Sequence, residues 1–364
     1  MPQLDLKTIV VAGLTVEVVC NLVLAALWRQ GRRQYSGLGF WALNFAAQTT
    51  GLFLILLRGQ LPTWLSVSAA NVLLVGGAWL GLLGLERFVG RRRPQTANGV
   101  VAAAAAALHA YLTYVQPNLA LRAAIFAGAM LYFFVRCSAL MLRGVDATLR
   151  PCTRAVGVVF ALFAGLFALR IANQFGHLGQ PDDYFRLGAP EALFHLAIQV
   201  LFVLLTYSLV LMVNRRLLMD LTLQREKFSK AFHSSPYALL LTRLSDGQIL
   251  EINEGFTAMA GYDDAEARGT TTIDLNLWAQ TGDRDAVVAQ LAARSRVDGL
   301  EFSFRKKSGE LLTGLYSAVV IAVGDEPCIL SSIADITARK QAEQERERLV
   351  ADREKALAEI KVLG

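Results

Sequence analysis

Seven runs of about twenty predominantly apolar residues recur through the first 216 positions, and a chain patterned this way has few folds open to it. An α-helix rising 1.5 Å per residue needs about 20 residues to cross a hydrocarbon layer roughly 30 Å thick, and a span must satisfy its backbone polar groups internally. The runs lie at roughly 6–28, 38–57, 64–85, 97–115, 121–142, 154–175 and 191–213. They predict an all-α, seven-helix transmembrane bundle over residues 1–216. Of the 364 residues, 54% are hydrophobic and 18% charged, too apolar a balance for an ordinary water-soluble protein. The residues before the first run lack a basic stretch and a small-residue cleavage site, so that run reads as a retained span.

Charge divides the chain and orients it. Through Arg216 there are 18 Lys and Arg against 7 Asp and Glu, whereas the remainder holds 18 against 23. A basic, apolar part followed by an acidic, ordinary part describes a membrane region joined to a cytosolic one. No basic stripe interleaved with aromatics is present, and no nucleic-acid partner is expected. Arg29, Arg32, Arg33, Arg87, Arg91 to Arg93, Arg143, Arg150, Arg154, Arg215 and Arg216 all fall on one side of the spans. Lys7, Arg58, Arg122 and Arg186 fall on the other. The positive-inside rule then places the N-terminus outside and the residues after Arg216 in the cytoplasm of a cell with an inner membrane.

Polar side chains within spans are costly and each is a candidate site. Counted from the external helix ends, Asn71, His109, Arg170, Asn173, Gln174, His195 and Gln199 belong to the outer half, where they are expected to line a pocket for an unidentified small ligand, Arg170 facing an anionic group. The plainer role for the same residues is hydrogen bonding between helices. Glu17 is the acid expected to pair with Arg170, although it lies about 8 Å nearer the midplane in this count. A retinal-type Schiff base is excluded, because Lys7 is the only lysine before the cytoplasmic linker. Cys20, Cys137, Cys152 and Cys328 are scattered, without metal-ligand or disulfide spacing, so no metal site is expected.

Past Arg216 the pattern changes. Residues 217–234 read as a helical linker, with Leu218, Leu221, Phe228 and Phe232 at helical spacing among charges. From Tyr237 to Leu244 and Ile249 to Ile252 the pattern alternates around a Ser245-Asp246-Gly247 turn, a hairpin signal. Helices are expected over Glu254–Ala260 and Asp283–Arg296, and strands over Leu300–Arg305, Leu311–Val323 and Cys328–Ile333. This predicts an α+β domain over 235–340, a five-stranded antiparallel sheet with helices on one face, and then a C-terminal signalling helix or coiled coil over 341–364. Leu349, Ala356 and Leu363 recur every seven residues in that helix, with Ile360 between them, and suggest a homodimer.

Phe232-His233-Ser234-Ser235-Pro236, Asp246 through Asn253, Gly261-Tyr262 with Glu266 and Gly269, and Asp335-Ile336-Thr337-Ala338-Arg339-Lys340 together resemble a PAS domain. The first 216 residues are similar to the seven-helix input regions of bacterial sensor histidine kinases and diguanylate cyclases, through Leu61 to Ser66, Asn71 to Gly76 and Gly84 to Phe88. The resemblance implies that Asp335, Thr337 and Arg339 pass a signal from the sheet into an output helix. No GGDEF-like or EAL-like run and no phosphate loop follows Lys340, so no catalytic residue is assigned.

The function expected is therefore a membrane-bound receptor that relays an external or membrane-dissolved signal to a missing or separate output domain or response regulator, of histidine kinase type by preference. The alternatives are the input part of a diguanylate cyclase and a PAS-regulated membrane transporter. No cofactor is expected. Residues 237–336 contain no histidine for haem, and Cys328 falls on the last strand rather than in a flavin-reactive helix. Trp278 could stack on a noncovalent flavin, though an aromatic there more often belongs to the core.

Overall fold

The computed structural model describes residues 6–175 and 189–363, and the side chains of 8–173 and 191–355. It divides into two compact units, Met1–Asp220 and Leu221–Gly364.

The first unit is helical: α1 (Leu6–Gly31), α2 (Leu38–Leu56), a π-helical turn (Trp64–Ala69) leading into α3 (Ala70–Phe88), α4 (Thr96–Tyr114), α5 (Leu119–Arg143), α6 (Arg150–Phe175) and α7 (Ala189–His233). Among the described residues, six helices are long and apolar enough to cross a membrane. The fourth expected span, α4, is a 19-residue helix that falls outside this set. Alanines from Ala102 to Ala107 supply helix propensity but little hydropathy, and Asn98 and His109 dilute it further. What alanine offers instead is close approach, and α4 packs chiefly on α5. The core of the unit is a chain of phenylalanines from α5, α6 and α7. Phe134 lies 4.9 Å from Phe163 and 5.3 Å from Phe167, Phe163 lies 5.6 Å from Phe202, and Phe167 lies 5.3 Å from Phe194, between ring centroids.

The ends of the helices farthest from Arg58 and Arg122 are tied by polar contacts. Buried Glu86 accepts from Gln95 Nε2 at 2.7 Å, whose Oε1 accepts from Trp79 Nε1 at 3.0 Å and Asn98 Nδ2 at 2.7 Å. Arg216 donates to the Phe88 carbonyl and stacks on Tyr35 and Phe88, while the Tyr35 hydroxyl donates to Asp220 at 2.9 Å. Burial and the neighbouring Asp220 carboxylate push the Tyr35 phenol up to about 12.

The second unit contains β1 (Ala238–Arg243), β2 (Ile249–Ile252), α8 (Glu254–Ala260), α9 (Asp264–Ala267), α10 (Thr281–Arg294), β3 (Arg296–Arg305), β4 (Leu311–Val323), β5 (Glu326–Asp335) and α11 (Thr337–Leu363). The strands form one antiparallel sheet in the order β2-β1-β5-β4-β3. Alternation sets the register: Ala238, Leu240 and Thr242 of β1 and Leu312, Tyr316 and Ala318 of β4 turn inward, where α8 and α10 cover them. Strand β3 begins four residues before the expected Leu300, because Asp298-Gly299, a turn-like pair, is absorbed as a bulge with Gly299 at φ 61°. The short α9 escaped the sequence reading, although its capping box, Asp263 with Glu266, is legible there.

Candidate functional site

A cavity of about 130 Å³ lies within the first unit. Val10 and Glu17 of α1, Gln48 of α2, Ser66 and Val67 of the π turn, Asn71 of α3, His109 of α4, Arg122 and Phe126 of α5, Arg170 of α6, and His195 and Gln199 of α7 all line it, with Arg58 from the loop after α2. Five of the seven expected pocket residues are thus brought together: Asn71, His109, Arg170, His195 and Gln199. Asn173 is not among the lining residues and is exposed on α6, and the side chain of Gln174 lies outside the described residues.

Local structure explains how these groups are held. The Ala70 N–H reaches back five residues to the Leu65 carbonyl, the longer bond that makes this turn π-helical. Asn71 Nδ2 then donates to the Val67 carbonyl at 2.7 Å, which fixes that amide at the cavity edge. Gln199 Nε2 donates to the Ile9 carbonyl at 2.7 Å, bridging α7 to α1. A Cβ at position 13 would stand 2.4 Å from that amide nitrogen, so Gly13 is what admits the bridge.

Arg170 does not pair with Glu17. Its Nη2 lies 3.1 Å from Glu191 Oε2, both side chains buried, and its guanidinium lies 4.2 Å from the Phe194 ring centroid. Glu191 occupies the first turn of α7, beside the last turns of α6, where the helix dipole also favours an acid. Glu17, nearer the middle of its helix, keeps Oε2 buried without a hydrogen-bond partner among the described residues, as does Arg170 with Nε. The sequence reading took Arg58 and Arg122 for topological flanks and missed that they reach the cavity. Their scarcity as basic residues at that end was the available signal.

In the second unit, three backbone-binding side chains organise the two ends of the sheet. Asn253 is buried and makes five hydrogen bonds: Oδ1 accepts from Leu239 and Phe256 N–H, both at 2.8 Å, and Nδ2 donates to the carbonyls of Phe232 at 3.0 Å, Ser235 at 3.2 Å and Tyr237 at 2.8 Å. It caps α8 and fastens the end of α7 to the first strand. Asp335 Oδ1 accepts from Thr337 N at 2.9 Å, capping α11. Thr337 Oγ1 instead accepts from Thr313 N of β4 at 2.9 Å, so it joins helix to sheet rather than capping the helix. Arg339 is exposed, while its neighbour Lys340 pairs with Glu301 of β3 at 2.7 Å. Trp278 packs against Phe302, Phe304 and Tyr316 and gives its Nε1–H to Thr272 Oγ1 at 3.2 Å. It lines a cavity of about 250 Å³ with Leu240, Thr242, Arg284 and Ser331.

This sheet order, with its helices on one face and a capped helix leaving the last strand, can be set against known proteins. Residues 226–292 match the PAS domain family. The PAS domain of an HTR-like protein from Haloarcula marismortui is 23% identical, covering 34% of this chain and 99% of that one, with a TM-score of 0.29. A domain of a sensory box sensor histidine kinase/response regulator from Geobacter sulfurreducens is 19% identical, covering 32% and 96%, with a TM-score of 0.27. The PAS domain of the fruit-fly ELK potassium channel is 22% identical, covering 31% and 96%, with a TM-score of 0.27. No curated protein sequence matches the chain. The PAS domain is a signalling sensor module, and Asn253 and Asp335 stand where it meets its two helices.

Proposed function

We propose that this chain is a dimeric receptor of the inner membrane, its cavity open to the exterior and everything after Arg216 cytoplasmic. The observation that carries the reading is one unbroken helix. α7 supplies His195 and Gln199 to the cavity and carries in its last turn Phe232, whose carbonyl is bonded to Asn253 of the PAS domain. Leu22, Leu169 and Leu193 are 66%, 68% and 66% exposed on the helices, surfaces that lipid rather than water would cover. Arg58, Arg122 and Arg170 against Glu17 and the buried Glu191 leave the cavity region net positive, which favours a small anionic ligand. Ligand binding shifts α7, the shift alters the PAS domain, and Asp335 and Thr337 hand it to α11. The output is a histidine kinase, in the same polypeptide or a separate one. Exposed Leu349 and Val350 provide α11 with a face for a second copy; the side chains of Ala356, Ile360 and Leu363 lie outside the described residues.

Orientation is tested by cysteine labelling. The four native cysteines are buried, so background should be low. A membrane-impermeant maleimide is expected to label Gln116→Cys in intact cells and Gln224→Cys only after permeabilisation. The reverse order would overturn the topology.

Relay is tested with the chain fused ahead of a reporter kinase. Gln199→Leu deletes the bridge between α1 and α7 and is expected to shift basal output, within the roughly 5–150-fold that couplings of about 1–3 kcal/mol allow. Asp335→Ala with Thr337→Ala, each removing a contact of about 0.5–2 kcal/mol, should erase that shift while sheet amides keep their protection from exchange. A shift that survives the double substitution would mean the signal leaves elsewhere.

A further inference from the structure

We infer that the ligand is an amphiphile, a hydroxylated carboxylic acid whose head sits in the cavity and whose acyl tail lies in a groove between α3 and α4. This rests on the receptor reading above and names its ligand class. The groove is a second cavity of about 270 Å³, almost wholly apolar, and it shares Asn71, His109 and Phe126 with the first. It follows the π turn and α3 from Ser68 to Trp79, about 16 Å at 1.5 Å per residue, a length suited to a medium acyl chain. Gly76, Gly99, Ala102 and Ala106 make its walls shallow, and Val72 at its rim is 51% exposed, so the groove faces the surface of the bundle. An apolar channel opening sideways and ending at a polar chamber suits a molecule with two such ends.

The head follows from two atoms. Arg170 Nε and Glu17 Oε2 both belong to cavity-lining side chains, both are buried, and neither has a hydrogen-bond partner among the described residues. The first is a donor that asks for an acceptor. The second is an acceptor that asks for a donor. A carboxylate bearing a nearby hydroxyl supplies both, and the arginines of the cavity favour its charge. Such a molecule partitions into a bilayer, so the groove gives it a path that does not cross water.

The test uses the full chain in phosphatidylcholine nanodiscs with β-hydroxydecanoate as probe and β-hydroxybutyrate as the same head without the tail. β-Hydroxydecanoate is expected to bind roughly tenfold or more tightly, since each added CH₂ is buried. Its ω-bromo derivative should quench Trp79, a signal lost in Trp79→Phe. At position 76 an ideal Cβ meets no heavy atom within 4 Å, so the side chain of Gly76→Leu starts from open space beside the groove. That variant should lose the advantage of the tail and leave β-hydroxybutyrate binding unchanged. Arg170→Lys, which keeps a cation for Glu191 but lacks Nε, should weaken both probes. Equal binding of the two probes, or a tail advantage that survives Gly76→Leu, would overturn the groove and leave the anion-receptor reading standing. Binding of neither probe would overturn both. Quenching by brominated phosphatidylcholine that the probe fails to displace would show an ordinary lipid in the groove and overturn the proposal.

Discussion

Replacing Arg170 by methionine is expected to destabilise the helical unit by about 3–5 kcal/mol, the range for removing one partner of a buried ion pair. The substitution strands the Glu191 carboxylate in an apolar setting and removes a cation over the Phe194 ring, itself contributing about 0.5–2 kcal/mol. Neutral hydrogen bonds between membrane helices average nearer 0.6 kcal/mol, so the charge is what makes this contact costly to break. Glu191→Gln in the methionine background should recover much of the loss, because it removes the stranded charge. Glu17→Gln should recover none. Thermal unfolding of the unaltered chain and the three variants in detergent distinguishes the cases. Rescue by Glu17→Gln would return the ion pair to the partner favoured by the sequence reading.

Asn253→Ala should be the most damaging single change in the PAS domain, at about 2–5 kcal/mol. One of its partners, the Phe232 carbonyl, is buried and would be orphaned at a cost of roughly 1–3 kcal/mol, whereas the Phe256 amide keeps the backbone carbonyl of residue 253. Loss of the α8 cap adds about 0.5–2 kcal/mol. Against a domain stability of about 5–15 kcal/mol the variant remains mostly folded but loosened. Hydrogen exchange should speed first at Leu239, Phe256 and the amides around Ser235. Asn253→Asp keeps the two acceptor bonds, loses the donors to three carbonyls, and should preserve protection at Phe256 better than at Ser235. Equal loss at both would mean that the side chain serves the domain as a whole and not the junction with α7.

The sheet was legible because its signals are local. The expected bounds of β2 and β4 matched to the residue, and the Asp246-Gly247 turn marked the hairpin of β1 with β2. The cavity was legible only in part. Polar residues within apolar runs stand out, and depth counting placed five of them together. Partner choice depends on rotation about each helix axis, which a depth count lacks. Glu17 was therefore named as the partner, and Glu191 was given no role. Arg58 and Arg122 were read for their side of the membrane and not for where their long side chains reach. The weight carried by Asn253 was hidden for another reason: its five partners are backbone groups, and backbone groups leave no mark in a sequence.

The helix from Ala189 to His233 has 45 residues, about 67 Å of rod where a hydrocarbon layer asks for about 30 Å. Each residue added to or removed from an α-helix turns the helical residues beyond it by about 100°, so a helix is counted in turns as well as in length. After Arg216 its residues are free to vary in identity, since most are exposed, yet not in number. Homologues of this chain should therefore differ in that stretch by substitutions, and by insertions or deletions of whole heptads, long before they differ by one residue.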